Sequence, residues 1–281
     1  MPKLTSHLYG KARVRVAKLF RDKDRHSIKE IDVAAMLEGD FESSYTGGDN
    51  TKVVPTDTIK NTINVLANEK LSDEIELFAI GLAEHFLAKY KQVRAARIEI
   101  SERDWRRMEI EGKPHPHSFA AGNDAETLAR IECSRDSRTV ECGIRDLVIL
   151  KSTGSGFEHY PKDEFTTLLE TADRILATSL RAVWLYSKNP NSFRERNDKI
   201  VAAMLKVFAN NYSPSAQTTL FEMGTAALEV CPEIARIELA MPNKHYLLVD
   251  LSRFGRENNN EVFTPTDEPH GQIEAVVTRD G

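Results

Sequence analysis

Between Tyr9 and Phe20 the chain alternates: Tyr9, Lys11, Arg13, Arg15 and Lys18 interleave with Ala12, Val14, Val16 and Ala17, before Leu19 and Phe20. Successive side chains leave a strand on opposite faces, so a period of two held this long predicts a long strand with one buried face. A charged turn, Arg21-Asp22-Lys23-Asp24-Arg25, and a second alternating run from His26 to Glu38 close a hairpin. Later segments of the chain must cover the apolar face of that sheet.

Polar residues from 40 to 51 predict a loop longer than most, of a kind that often carries function. Pro55-Thr56-Asp57-Thr58 opens a helical stretch with Ile59, Ile63, Val65 and Leu66 at helical spacing. A second helix runs from about Ser72 to Tyr90, with Ile75, Phe78, Ala79, Leu82, Phe86 and Leu87 on one face and Ser72 as its cap. Strands return at Ala95 to Met108, His117 to Cys133 and Arg138 to Lys151. The second half repeats the plan: a helix-like stretch from Lys162 to Leu176 and a strand near Arg181 to Ser187. Helices at Ser192 to Asn210 and Ser215 to Val230 come next, then strands at Ile234 to Met241 and His245 to Leu251. Strand-strand-helix-helix-strand-strand, twice, predicts an α+β duplication in which helix pairs cover one face of antiparallel sheet, with repeats at 1–137 and 138–281.

Composition narrows the class. The 281 residues are 41% hydrophobic and 29% charged, enough for a substantial core. With 38 basic against 43 acidic residues and a net charge of −5, the chain lacks the basic excess that gripping nucleic acid or an anionic membrane requires. No apolar run is long enough to span a bilayer, the N-terminus has no signal core, and the ending VVTRDG is not a peroxisomal Ser-Lys-Leu address. Cys133, Cys142 and Cys231 have neither metal nor redox spacing and read as reduced side chains in a cytoplasm.

The candidate chemistry is open residue by residue. Lys11 suits the solvated face of a strand, or a cation held beside an acid or hydroxyl. Thr56 and Asp57 suit a helix cap worth about 1 kcal/mol, or a helix start whose free N–H groups hold an anion. Lys113-Pro114-His115-Pro116-His117 puts two histidines two apart, but the prolines keep it extended and no further ligand stands at metal spacing. Asn243-Lys244-His245 reads as a tight hairpin, or as a loop edge with a proton-shuttling histidine. Arg174 either pairs with Asp173 or Glu170 at the surface, or offers its fork to a planar, carbonyl-rich ligand. Gln217 is, on the plain reading, an early helix residue.

Taken together the blocks are more specific. Tyr9-Gly10-Lys11, Val53 to Thr62, Gly112 to Phe119, Leu150-Lys151-Ser152-Thr153, Asp173-Arg174-Ile175-Leu176, Tyr212 to Gln217 and Pro242 to Tyr246 occur in the order found in urate oxidases, and the chain resembles that family from about residue 8 to 255. The resemblance implies two tunnelling-fold (T-fold) repeats per chain, assembled as a homotetramer around a barrel-like tunnel with active sites at subunit interfaces. It implies oxidation of urate by dioxygen to 5-hydroxyisourate and hydrogen peroxide, without metal or organic cofactor. Carried over position by position, Lys11, Thr56 and His245 form a proton relay and Phe157 stacks on the purine. Arg174 and Gln217 grip its edge, Asn243 holds dioxygen or water above the ring, and Thr56, Asp57 and the backbone near Ala216 complete the pocket. Two rival readings stand beside this one. One is a zinc-dependent T-fold pterin or purine enzyme using His115 and His117, and the other a catalytically silent purine-binding protein of the same fold.

Overall fold

The computed structural model of the chain describes residues 2–279, with only the backbone at 123 and 124; Asp280 and Gly281, the last two residues of the VVTRDG ending, lie outside it. The chain runs β1 (Tyr9–Arg21), β2 (His26–Gly39), α1 (Glu42–Thr46), α2 (Thr56–Lys70), α3 (Ile75–Lys89), β3 (Val93–Ile110) and β4 (Lys113–Ser134). It continues through β5 (Arg138–Lys151), β6 (Leu176–Tyr186), α4 (Phe193–Asn210), α5 (Ala216–Val230), β7 (Ile234–Leu248) and β8 (Phe263–Thr278). Leaving the five-residue α1 aside, the order strand-strand-helix-helix-strand-strand occurs twice. The strands are hydrogen-bonded in chain order, and the β1–β2, β2–β3, β3–β4 and β7–β8 ladders are antiparallel.

Two compact units divide the chain: Met1–Ile144 with Trp184–Glu195, and Arg145–Val183 with Arg196–Gly281. In the first, the alternation of β2 buries Ile31, Val33, Ala35 and Leu37, and β3 adds Ala96, Ile98 and Ile100. α2 and α3 supply the facing layer with Ile59, Ile63, Leu66, Phe78, Leu82 and Phe86. Each such side chain contributes about 1.5–3 kcal/mol by leaving water. In the second unit, Leu220, Met223 and Ala227 of α5 pack with Ile237, Leu239 and Met241 of β7 and Val277 of β8.

Four local expectations are corrected. The stretch 162–176 is not helical: Pro161 precedes it, β-branched Thr166 and Thr167 interrupt it, and Phe157 pairs antiparallel with Thr171. Its apolar Phe165 and Leu169 are 82% and 83% exposed, so no helical face is buried. The cap of α3 is Glu74 rather than Ser72, and no side chain satisfies it. Glu74 instead accepts from the Ser192 hydroxyl (2.6 Å) and the Arg194 N–H (3.1 Å), which starts α4 from another part of the chain. At the start of α2 the N-cap position is Pro55, so neither Thr56 nor Asp57 caps it. Finally, Asn243-Lys244-His245 is no turn. β7 runs straight through, paired with β8, a strand the sequence pattern did not disclose.

Candidate active site

In the first unit the sequence places Lys11, Thr56 and Asp57 close together. The Tyr9 hydroxyl accepts from the Val54 N–H at 2.8 Å and donates to the Val54 carbonyl at 3.3 Å, and its ring stands edge-on to Phe41 at 4.8 Å. Burial pushes the Tyr9 phenol pKa up. This anchor fixes Val54-Pro55, hence the first turn of α2, against β1. Gly10 lies so near β2 that a Cβ would meet the Ala35 carbonyl at 2.0 Å, so only glycine allows that approach. Beyond Lys11 the β1–β2 register shifts by one residue and Arg13 takes a left-handed φ of 57°, a bulge of the sort that re-aims side chains near functional sites.

Thr56 and Asp57 are exposed on the uncapped first turn of α2. Hydrogen bonding from Lys60 is the main reason the Asp57 carboxyl lies below its ordinary range. Asn61 (2.9 Å) contributes, and so does the charge of Lys11, which is near enough to be felt.

The second unit gathers Phe157, Arg174, Ala216 and Gln217. Three extended segments are knitted here: Gly156 N–H donates to the Ser213 carbonyl (2.8 Å), Ser213 N–H to the Gly154 carbonyl (2.9 Å), and Phe157 N–H to the Thr171 carbonyl (2.7 Å). The Arg174 N–H donates to the Ser155 carbonyl at 2.7 Å. Gly156 has no room for a side chain, since a Cβ would meet the Tyr212 hydroxyl at 2.3 Å and the Thr171 carbonyl at 2.9 Å. The Ser215 side chain accepts from the Thr218 N–H at 3.1 Å and caps α5, so that Ala216 and Gln217 form its first turn.

Arg174 does not make the surface pair that was one reading of it. Asp173 instead accepts from the Thr153 hydroxyl (2.9 Å) and the Gly154 N–H (2.9 Å), while Glu170 accepts from the His159 N–H (3.0 Å) and pairs with Lys162 (3.3 Å). The Arg174 guanidinium lies 5.3 Å from the Phe157 ring centre, burial lowers its pKa, and its buried Nε has no hydrogen-bond partner. A buried donor without a partner, on a guanidinium beside an aromatic ring, has the chemistry to meet a flat acceptor.

Asn243 and His245 stand half-buried on β7, on either side of a second register shift, where Asp267 to His270 of β8 oppose Lys244 alone. Lys244 pairs with Asp267 at 2.7 Å across that bulge. Residue by residue, then, the first unit carries Lys11, Thr56 and Asp57, and the second carries Phe157, Arg174, Ala216, Gln217, Asn243 and His245. His115 and His117 sit on β4 with rings edge-on at 4.6 Å, their strand held by Arg107, which donates to the His115 and Pro116 carbonyls. Among the described residues, no group of three or more His, Cys, Asp or Glu side chains has metal-binding geometry. Ser213 and Lys151 carry no chemical signal of their own in the sequence. The one sign of them in the sequence is that each lies inside a block carrying the resemblance.

The family model described as Uricase matches residues 7–132 and 140–274. A uricase of Arthrobacter globiformis is 40% identical over 278 residues, covering 99% of this chain and 90% of that protein. A uricase of the rabbit, Oryctolagus cuniculus, is 38% identical, covering 96% of this chain and 93% of that one. The crystal structure of the Arthrobacter globiformis uricase superposes with a TM-score of 0.94 over 100% of this chain and 96% of that one. The fold extends to a uricase of Bacillus fastidious at 24% identity, with a TM-score of 0.82 over 98% of this chain and 94% of that one.

Proposed function

Because the chain belongs to the uricase family, we propose that it oxidises urate, with Lys11, Thr56 and Asp57 of the first unit and Phe157, Arg174, Ala216, Gln217, Asn243 and His245 of the second each taking part. The observation that carries this reading is the orphaned, buried Nε of Arg174 beside the Phe157 ring. Urate is a flat, carbonyl-rich anion. Phe157, one side of whose ring is stacked on Tyr160 at 4.9 Å, offers it apolar ring surface, Arg174 a rigid pair of donors for a carbonyl and ring nitrogen, and Gln217 both a donor and an acceptor. The uncapped start of α2, with Thr56 and Asp57, adds N–H groups that favour negative charge.

Dioxygen reacts sluggishly with closed-shell molecules, so without a metal the substrate itself must give up electrons readily. Ionised urate does so. In the balanced reaction, urate, dioxygen and water become 5-hydroxyisourate and hydrogen peroxide: urate loses two electrons, dioxygen takes them with two protons, and hydroxide from water adds to the purine. Lys11 as a cation beside the Thr56 hydroxyl favours its deprotonated form, and His245 passes the proton onward. Asn243 holds dioxygen, or the water that replaces it, above the ring. The same reading takes the chain as tandem T-fold repeats, 1–137 and 138–281, in a homotetramer with pockets at subunit interfaces. The three free, buried cysteines suit a reducing cytoplasm.

Loss of the ultraviolet band of urate in air, with equimolar peroxide and no response to a chelator, is the expected result. A folded protein that leaves urate intact refutes the reading.

A further inference from the structure

Lys151 closes β5 and is not a member of the proposed proton relay. Its ammonium donates to the Asn211 carbonyl at 2.8 Å and to the Ser213 hydroxyl at 2.6 Å, and lies 5.6 Å from the centre of the Phe208 ring. Asn211 follows the last turn of α4, which has no basic residue of its own. Lys151 therefore brings from β5 the cation that the negative end of a helix favours. Ser213 is fully buried, and its hydroxyl also bonds the buried Thr219 hydroxyl of α5 at 2.5 Å.

The backbone of Ser213 holds Gly154 and Gly156, and Ser155 between them accepts the Arg174 N–H. Phe157 comes directly after this bridge on one side. On the other, two residues past Ser213, Ser215 caps the helix that begins with Ala216 and Gln217. One ammonium thus fixes one hydroxyl, and the residue bearing it is shared by both walls that carry the purine-facing groups. Glu222 stands nearby, held by the Asn211 side-chain amide at 2.8 Å.

We propose that Lys151 is a positioning residue for urate binding. Through Ser213 it keeps the segment of Phe157 and Arg174 in register with the first turn of α5, so that all three binding side chains meet one planar bicycle together. The inference rests on the urate reading. It predicts a split that a merely structural lysine does not produce. The elements it braces bind substrate, whereas Lys11 and Thr56 are fixed by β1 and α2, so its loss acts on binding more than on the chemical step.

The test compares wild type, Lys151→Met, Lys151→Arg, Ser213→Ala and the double variant Lys151→Met/Ser213→Ala, with anaerobic equilibrium binding of urate and aerobic initial rates. Lys151→Met keeps a chain of similar length over Phe208 without the charge. It should weaken anaerobic urate binding and raise KM by about tenfold, the scale of a lost charge-assisted hydrogen bond, while kcat changes by less than about threefold. Lys151→Arg should recover part of the binding. Ser213→Ala should weaken binding in the same direction, and less than additively with Lys151→Met. Should Lys151→Met fail to fold, Lys151→Arg and Ser213→Ala carry the same test. Unchanged urate binding in folded variants, or a loss confined to kcat, overturns the proposal and leaves the urate reading intact. A wild type that neither binds nor consumes urate overturns both.

Discussion

Gly156 is where the packing of the candidate site can be weighed most directly. A methyl group placed there meets the Tyr212 hydroxyl at 2.3 Å, the Thr171 carbonyl at 2.9 Å and the Ala172 carbonyl at 3.2 Å. Ordinary contact between non-bonded heavy atoms lies near 3.5 Å, so Gly156→Ala forces the Tyr212 hydroxyl back by about 1 Å. That movement breaks its 3.0 Å bond to the Ala172 carbonyl. The phenol is the far end of a side chain and can yield. The Thr171 carbonyl is backbone and also accepts from Phe157, so its displacement carries Phe157 with it. Overpacking costs about 1–3 kcal/mol and the lost hydrogen bond about 1 kcal/mol. At about 2 °C per kcal/mol for a chain of this length, Gly156→Ala should melt about 4–8 °C below wild type. Its KM for urate should rise about tenfold through the shifted Phe157 and Arg174. Differential scanning fluorimetry and initial-rate kinetics measure both. A variant that melts within about 1 °C of wild type with the same KM refutes the crowding argument and the link between this glycine and the binding wall.

Other perturbations probe the remaining parts. Lys11→Met should keep anaerobic urate binding and slow turnover greatly; turnover at the wild-type rate would remove Lys11 from the relay. Arg174→Lys keeps the charge but not the planar fork, and should raise KM about 10- to 100-fold, against no change if the guanidinium never meets urate. The pKa of Asp57 is depressed, chiefly by hydrogen bonding from Lys60 and then by its charge. A carboxyl of that kind contributes stability in full above its unfolded pKa, near 4, and loses it as pH falls through the folded value. Between about pH 5 and pH 3, wild type should therefore lose more melting temperature than Asp57→Asn, and parallel curves would contradict the assignment.

How much of this could be read from the sequence depended on how local the cause was. The β1–β2 hairpin and the helices α2, α3, α4 and α5 were legible because side-chain period and burial agree: Val33, Ala35 and Leu37 alternate, and Phe78, Leu82 and Phe86 recur. The stretch 162–176 misled because Leu168, Leu169, Ile175 and Leu176 have nearly helical spacing, while Phe157–Thr171 pairing from outside the window decided its shape. Asn243-Lys244 has turn chemistry, yet the ladder to β8 overrode it. Glu74 could not be assigned locally, since the helix start it serves lies more than a hundred residues further along. Arg174 was singled out by type, but its unspent Nε is a property of where Asp173 and Glu170 send their own oxygens.

The bulge opposite Lys244 has a consequence for how the chain tolerates changes in length. Asn243 pairs with Gly271 and His245 with Thr266, and the four exposed residues between Thr266 and Gly271 answer to a single residue of β7. Deleting one of the four shortens a surface arch and leaves both flanking pairs where they are. Deleting one residue of β7 between the same pairs turns every later side chain of that strand, His245 included, to the opposite face. The two strands of one ladder therefore face opposite rules: β8 is free to gain and lose residues beside the site, and β7 has to keep count.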